Sequence, residues 1–197
     1  MEKKSVSATI LVLFLALTFT VIGVCFSVFV YSETKILVKK VNLYGSSGIK
    51  IYESSEKKCE VTELKLSDME LGLKPATGEV DSETQIPSTI VDSGTSEGYY
   101  GKVYVGVTGA FKVTLKDISI KSKKDEIEVK KERKNIFVAI KDIDGSTKSL
   151  EENEIQLATF ESVEGGKELI FFIWLGSLAG EELIGSKISF SLYFDKI

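Results

Sequence analysis

The side chain set most like a piece of chemistry is Asp92, in the string Ile90-Val91-Asp92-Ser93-Gly94-Thr95-Ser96. An aspartate entering an Asp-Ser-Gly-Thr turn behind apolar residues can be brought against a second carboxylate, and the pair then shares a proton and activates water. One such string per chain means that the pair needs two molecules. Histidine is absent altogether, which removes His-based nucleophilic triads, His-x-x-x-His zinc sites and the commonest general base.

The string resembles the hydrophobic-hydrophobic-Asp-Ser/Thr-Gly-Ser/Thr element of aspartic peptidases. The resemblance implies a homodimer, with Trp174-Leu175-Gly176 in the place of the downstream hydrophobic-hydrophobic-Gly element. Against catalysis, Asp92 sits at the end of a polar stretch instead of between two apolar strands, and such a string arises readily in a chain rich in these residues. Lys141-Asp142-Ile143-Asp144-Gly145-Ser146 has the look of a calcium loop, yet an EF-hand loop with Gly145 in the glycine place would start at Ile140, which has no side-chain oxygen to offer; a tight turn is expected. Ser47 to Lys50 and Ser55 to Lys58 have Ser-x-x-Lys spacing, which means little in so Lys- and Ser-rich a chain. Trp174 with Phe171 and Phe172 could stack on a sugar, but their unbroken apolar context favours burial. Tyr99 and Tyr100 are the better candidates for surface contacts. No catalytic, cofactor-binding or metal-ligating residue is assigned, and no cofactor is expected.

Charge excludes a further class. Setting aside Glu2, Lys3 and Lys4 with the N-terminal segment leaves 23 basic and 28 acidic residues, a net charge of −5, which argues against nucleic acid as a partner. Residues 121–134 hold seven basic and four acidic side chains in mixed order, the pattern of a solvated hairpin face or edge strand; binding of an anionic wall polymer there is the weaker reading.

The elements that must position these residues begin with a run of 28, residues 5–32, that lacks Asp, Glu, Lys and Arg. Lys3 and Lys4 precede it, the order that keeps an N-terminus cytoplasmic and sends the downstream chain across the membrane. Residues 1–34 are therefore expected to be a signal peptide or a transmembrane anchor, both readings staying open, with Val30-Tyr31-Ser32 allowing cleavage before Glu33. Cys25 follows Val24 where a lipoprotein signal needs a small residue, so it reads as a membrane-embedded thiol. Cys59 is the other cysteine, so no disulfide can form within the exported part.

From Lys35 onward the period is two, the signature of half-buried strands. Val103, Val105 and Val107 alternate with Lys102, Tyr104 and Gly106; Phe111, Val113 and Leu115 continue, then Ile118 and Ile120, Ile127 and Val129, Ile136, Val138 and Ile140, and finally Ile188, Phe190, Leu192 and Phe194. Helical spacing is noticeable at 150–160. Residues 169–175, Leu-Ile-Phe-Phe-Ile-Trp-Leu, are apolar without a break, as in a central strand covered on both faces. Gly45-Ser46-Ser47-Gly48, Asp144-Gly145, Gly165-Gly166 and Gly185-Ser186 suit hairpin or loop connections. Residues 67–98 hold both prolines, Pro75 and Pro87, and read as a long surface loop, a place where function is often carried.

The ending, the 169–175 run with Gly176 and then Gly185-Ser186-Lys187-Ile188-Ser189-Phe190-Ser191-Leu192-Tyr193-Phe194, resembles that of TasA/camelysin-type bacterial surface and biofilm matrix proteins. Val28-Phe29-Val30-Tyr31-Ser32-Glu33-Thr34 is similar to the stretch at which the SipW-dependent members are processed. The resemblance implies a jelly-roll β-sandwich at the cell surface, assembling into matrix fibres by donating an N-terminal strand, for which residues 35–41 are the analogous segment. A zinc peptidase activity is not implied, because no residues are present to hold the metal.

The expectation is an all-β chain, a jelly-roll-like antiparallel β-sandwich over residues 35–197 preceded by one N-terminal hydrophobic helix, located extracellularly or at the cell surface. Its expected role is a structural or interaction module that associates with itself or with other surface or matrix polymers. It is held to the membrane by the helix unless cleaved. The alternatives are a membrane-anchored ligand-binding module, using the 67–98 loop with Tyr99 and Tyr100, and a dimeric aspartic peptidase through Asp92.

Overall fold

The structure, a computed structural model, describes residues 12–24, 37–66, 86, 98–122, 129–176, 178–179, 183 and 185–197. It divides into two units, Met1–Thr34 and Lys35–Ile197.

In the first unit, residues 12–24 are helical. Leu, Phe, Ala and Val without proline or charge sustain the helix. The Thr18 and Thr20 hydroxyls donate to the Phe14 and Ala16 carbonyls one turn back, both at 2.8 Å. Large apolar side chains lie bare all round it, Phe14 67% and Phe19 70% exposed, the surface of a helix that lacks the polar stripe of a soluble one. Among the described residues no helix is long and apolar enough to cross a membrane.

The second unit is a β-sandwich with nine strands among the described residues: β1 (Leu37–Gly45), β2 (Lys50–Tyr52), β3 (Gly98–Gly106), β4 (Gly109–Lys121), β5 (Ile136–Ile140), β6 (Lys148–Ser149), β7 (Ile155–Val163), β8 (Lys167–Leu175) and β9 (Lys187–Lys196), with a short 3-10 helix, Lys131–Asn135, before β5. One sheet has the order β1-β9-β4-β7 and the other β2-β3-β8-β5-β6. The all-β sandwich agrees with the sequence reading. Strand pairing among the described residues is antiparallel except at β1, which runs parallel to β9, from Leu37 opposite Lys187 to Gly45 opposite Phe194.

Period-two alternation directs Val103 and Val105 of β3, Ile136, Val138 and Ile140 of β5, and Ile188, Phe190, Leu192 and Phe194 of β9 into one core between the sheets. In β4 the inward positions change from odd (Phe111, Val113, Leu115) to even (Ile118, Ile120). The change falls at Asp117, whose φ is 55°, where the register with β9 slips between Lys116 and Ser119; a bulge adds one residue and flips the phase. The unbroken run in β8 has the predicted cause. Leu169, Phe171, Ile173 and Leu175 enter the main core, while Phe172 and Trp174 join Ala139 and Ile86 in a second apolar layer on the opposite face. β8 is the middle strand of its sheet. Ile86 comes from the 67–98 segment, so at this position the loop contributes to packing.

Three expectations change. Residues 150–160 are not helical; Ile155–Val163 is a strand with a bulge against β4 between Val113 and Thr114, and the extra residue imitates helical spacing. The basic stretch is not solvated throughout, since Arg133 and Asn135 are buried in the 3-10 helix; residues 123–128 lie outside the described residues. The glycine turns mostly carry the chain between sheets, with Gly45–Gly48 joining β1 to β2 and Gly165-Gly166 joining β7 to β8. The Asp144-Gly145 turn instead closes the β5–β6 hairpin, with Gly145 at φ 68°.

Candidate functional site

Strand geometry decides the fate of most candidate residues. Tyr99 is corrected as a surface candidate, since it and the adjacent Tyr100 of β3 point to opposite faces: Tyr99 enters the main core at 5% exposure, whereas Tyr100 stays half-buried on the second apolar layer beside Phe172. Burial pushes the Tyr99 hydroxyl above its ordinary range, partly offset by a backbone hydrogen bond with Val38. Trp174 is 3% exposed and stacks on Phe137, ring centres 5.7 Å apart, so it is a packing residue. Leu175 faces the opposite way, into the main core, and Gly176 closes the strand by donating its N–H to the Asn135 carbonyl at 2.8 Å. The Trp174-Leu175-Gly176 triplet is thus the end of a two-faced strand. Asp92 and its string lie outside the described residues.

Asp142 and Gly145 take left-handed backbone conformations, φ 56° and 68°. The buried Ser146 hydroxyl holds this turn, accepting from the Ile140 N–H at 3.0 Å and donating to the Ile140 carbonyl at 2.9 Å. Among the described residues no three acidic or cysteine side chains gather as a metal site would require. Lys50 pairs with Glu60 and Lys58 with Glu56, so neither lysine is paired with the serine three residues before it. Cys59 is an exposed free thiol.

Sequence reasoning missed Arg133, the one arginine in the chain. At 5% exposure its guanidinium donates from Nη1 to Asn153 Oδ1 and from Nη2 to the Ile118 carbonyl, both at 2.9 Å. It thereby ties the 3-10 helix to β4 at its bulge and to the turn before β7. The planar fork with donors at fixed angles is what arginine offers and lysine does not. Its setting among lysines hid it, although the choice of a single arginine in a lysine-rich stretch was a signal.

Among the described residues the sheet edges are surfaces that can act outward. Backbone N–H and C=O groups along an open edge are a template for another strand. The five-stranded sheet ends in strands of three and two residues, β2 and β6, too short to serve. The four-stranded sheet ends in nine-residue strands at both sides, β1 and β7. Part of the outer side of β1 is occupied by its own chain, Leu43 N–H donating to the Thr62 carbonyl and Leu64 N–H to the Val41 carbonyl, both 2.9 Å. β7 pairs with β4, and among the described residues no strand lies along its other side. It contains neither lysine nor proline, the residues that usually blunt an edge, and Gln156, Thr159 and Glu161 are exposed along it.

β1 is fixed at the opposite edge by the buried Val41 and Leu43 and by Tyr44, which stacks on Tyr193 of β9 at 4.8 Å. The Tyr193 hydroxyl donates to Asp117 Oδ2 at 2.9 Å, and that hydrogen bond, more than desolvation, raises its pKa. Lys116 lies 5.5 Å from the same ring. The outer face of the four-stranded sheet thus carries an aromatic pair bordered by a cation and an anion.

No protein-family model matches the chain, and no curated protein is similar to it. Among solved structures, the secreted serine protease VesC from Vibrio cholerae is similar over 68% of this chain, at 15% identity and a TM-score of 0.28. The chain matches about a quarter of that protein's length, 24%. A likeness at this level carries no argument about fold or activity.

Proposed function

We propose that the chain is a non-catalytic module displayed outside the cell, contributing to surface or matrix architecture by associating with further copies of itself. The observation that carries this reading is the nine-residue β7 edge of the four-stranded sheet, along whose outer side no strand lies among the described residues. Main-chain hydrogen bonds along such an edge supply affinity, and alternate side chains supply specificity. β1, the first strand of the sandwich, occupies the other edge of the same sheet, and a donated strand of another copy would take that place beside β9. The TasA/camelysin-type resemblance points the same way. The bare apolar helix at residues 12–24 supports delivery to a membrane, as an export signal or as part of an anchor.

The finer fold reading is a jelly roll. Support comes from the order β1-β9-β4-β7 facing β3-β8-β5-β6, with most successive strands crossing between sheets; the parallel β1–β9 pair and the added β2 make it a variant of that plan. A second functional reading, an anchored ligand-binding module, draws on a groove between turns at one end of the sandwich. The peptidase reading rests on Asp92 alone and gains no support from Trp174, Leu175 or Gly176, each of which has a packing role. Sedimentation velocity and electron microscopy on residues 35–197 test the assembly reading: concentration-dependent oligomers or fibres are expected.

A further inference from the structure

We infer that the groove at one end of the sandwich is a binding site for oxyanions, the phosphate or carboxylate groups of a small or polymeric anion. The inference stands on local geometry and does not rest on self-association. The β1–β2, β3–β4 and β7–β8 turns and the end of β9 surround an open space of about 620 Å³. Lys50, Lys57 and Lys196, from three separate segments, line it, and no carboxylate side chain does among the described residues. Of the three, Lys50 is ion-paired with Glu60, while Lys57 and Lys196 bring positive charge to the wall of a chain whose net charge is −4.

The wall is held in place. Lys57 adopts a left-handed backbone, φ 56°, and its ammonium donates to the Gly165 carbonyl at 2.8 Å while lying 5.5 Å from the Tyr104 ring centre. Tyr104 donates its hydroxyl to the same oxygen at 3.1 Å. Two donors fill the two lone pairs of that carbonyl, and Lys57 keeps two further N–H groups for another acceptor. The Tyr104 ring reaches this position because residue 166 is glycine: a Cβ there would come within 2.5 Å of the ring. Gly106 does the same for Tyr52, at 2.8 Å.

Lys50 is engaged with Glu60, which leaves Lys57 and Lys196 as the main charges. Ser46 Oγ accepts the Lys196 backbone N–H at 3.0 Å, so its own O–H is directed to donate; Ser47 and Thr108 add hydroxyls to the lining. A complementary ligand must bring negative charge and several acceptor oxygens. Lysine ammonium groups, as compact point charges, bind phosphate and carboxylate without demanding a fixed fork.

The test uses the full chain in detergent micelles, titrated with pyrophosphate and, separately, with citrate, and followed by calorimetry and by the amide signals of Gly48, Thr108 and Gly165. Saturable binding that moves these three signals is expected with one probe or both. Response to pyrophosphate alone assigns a phosphate source, to citrate alone a carboxylate source, and to both a general oxyanion site. The Lys57→Gln/Lys196→Gln variant should bind at least tenfold more weakly, and Lys196→Gln alone several-fold more weakly. Lys148→Gln, on β6, should bind as wild type. Absence of binding with both probes, shifts confined to other amides, or equal affinity in the double variant would overturn the proposal.

Discussion

Arg133 shows how much one side chain can organise. Among the described residues the buried guanidinium is held by neutral oxygens, the Ile118 carbonyl and Asn153 Oδ1. Truncation strands both acceptors, so Arg133→Ala should cost about 2–4 kcal/mol of stability, taking about 1–3 kcal/mol for each buried group left unsatisfied. Arg133→Lys should recover only part of this. Urea unfolding midpoints of the two variants measure the difference, and equal midpoints for wild type and Arg133→Ala would contradict the staple. Tyr99 makes a different prediction, about pH. Its folded pKa is raised above 10.0 by burial, so the native state keeps a proton that the unfolded chain gives up more readily. The associated stability is therefore fully present below about pH 10 and is lost as pH rises through the folded value. Tyr99→Phe should flatten the alkaline fall in unfolding free energy above about pH 10 without abolishing it, since Tyr193, whose pKa is raised chiefly by its hydrogen bond to Asp117, contributes to that fall as well.

At the scale of elements, the strands were legible because their side chains obey period two, and the two-faced character of β8 was legible from its unbroken apolar run. Even the bulge at Asp117 left a mark, the switch from odd to even apolar positions in β4. What the sequence did not disclose is partnership. Nothing local to residues 37–45 states that they lie parallel to β9, because pairing is settled by which edge the tertiary fold leaves open. For the same reason Tyr99 and Tyr100, identical and adjacent, could not be told apart until β3 had a core side. The bulge in β7 misled the period reading at 150–160. Of the candidate surfaces, the glycine turns were visible but their convergence around a groove was not, since it joins segments more than 100 residues apart. Two-sided packing of β8 gives a prediction: Trp174→Ala, on the second layer, should destabilise by about 3–5 kcal/mol, close to Phe171→Ala in the main core. If Trp174 were a surface platform, its removal would leave thermal unfolding almost unchanged.

For the whole molecule, the arrangement is asymmetric. The five-stranded sheet has short edges and a second apolar layer on its outer face, whereas the four-stranded sheet has long edges. Association is thus expected along the four-stranded sheet, and a charge placed on β7 should suppress it without unfolding the domain. Thr159 is exposed and central in that strand, so Thr159→Lys installs on the edge a lysine, which β7 lacks. The most direct measurement is sedimentation velocity of residues 35–197, wild type beside Thr159→Lys, over a wide concentration range. Self-association through β7 predicts concentration-dependent oligomers for wild type and a shift toward monomer for the variant, with unchanged circular dichroism; a wild-type domain that stays monomeric throughout, or a variant that assembles equally well, would contradict it.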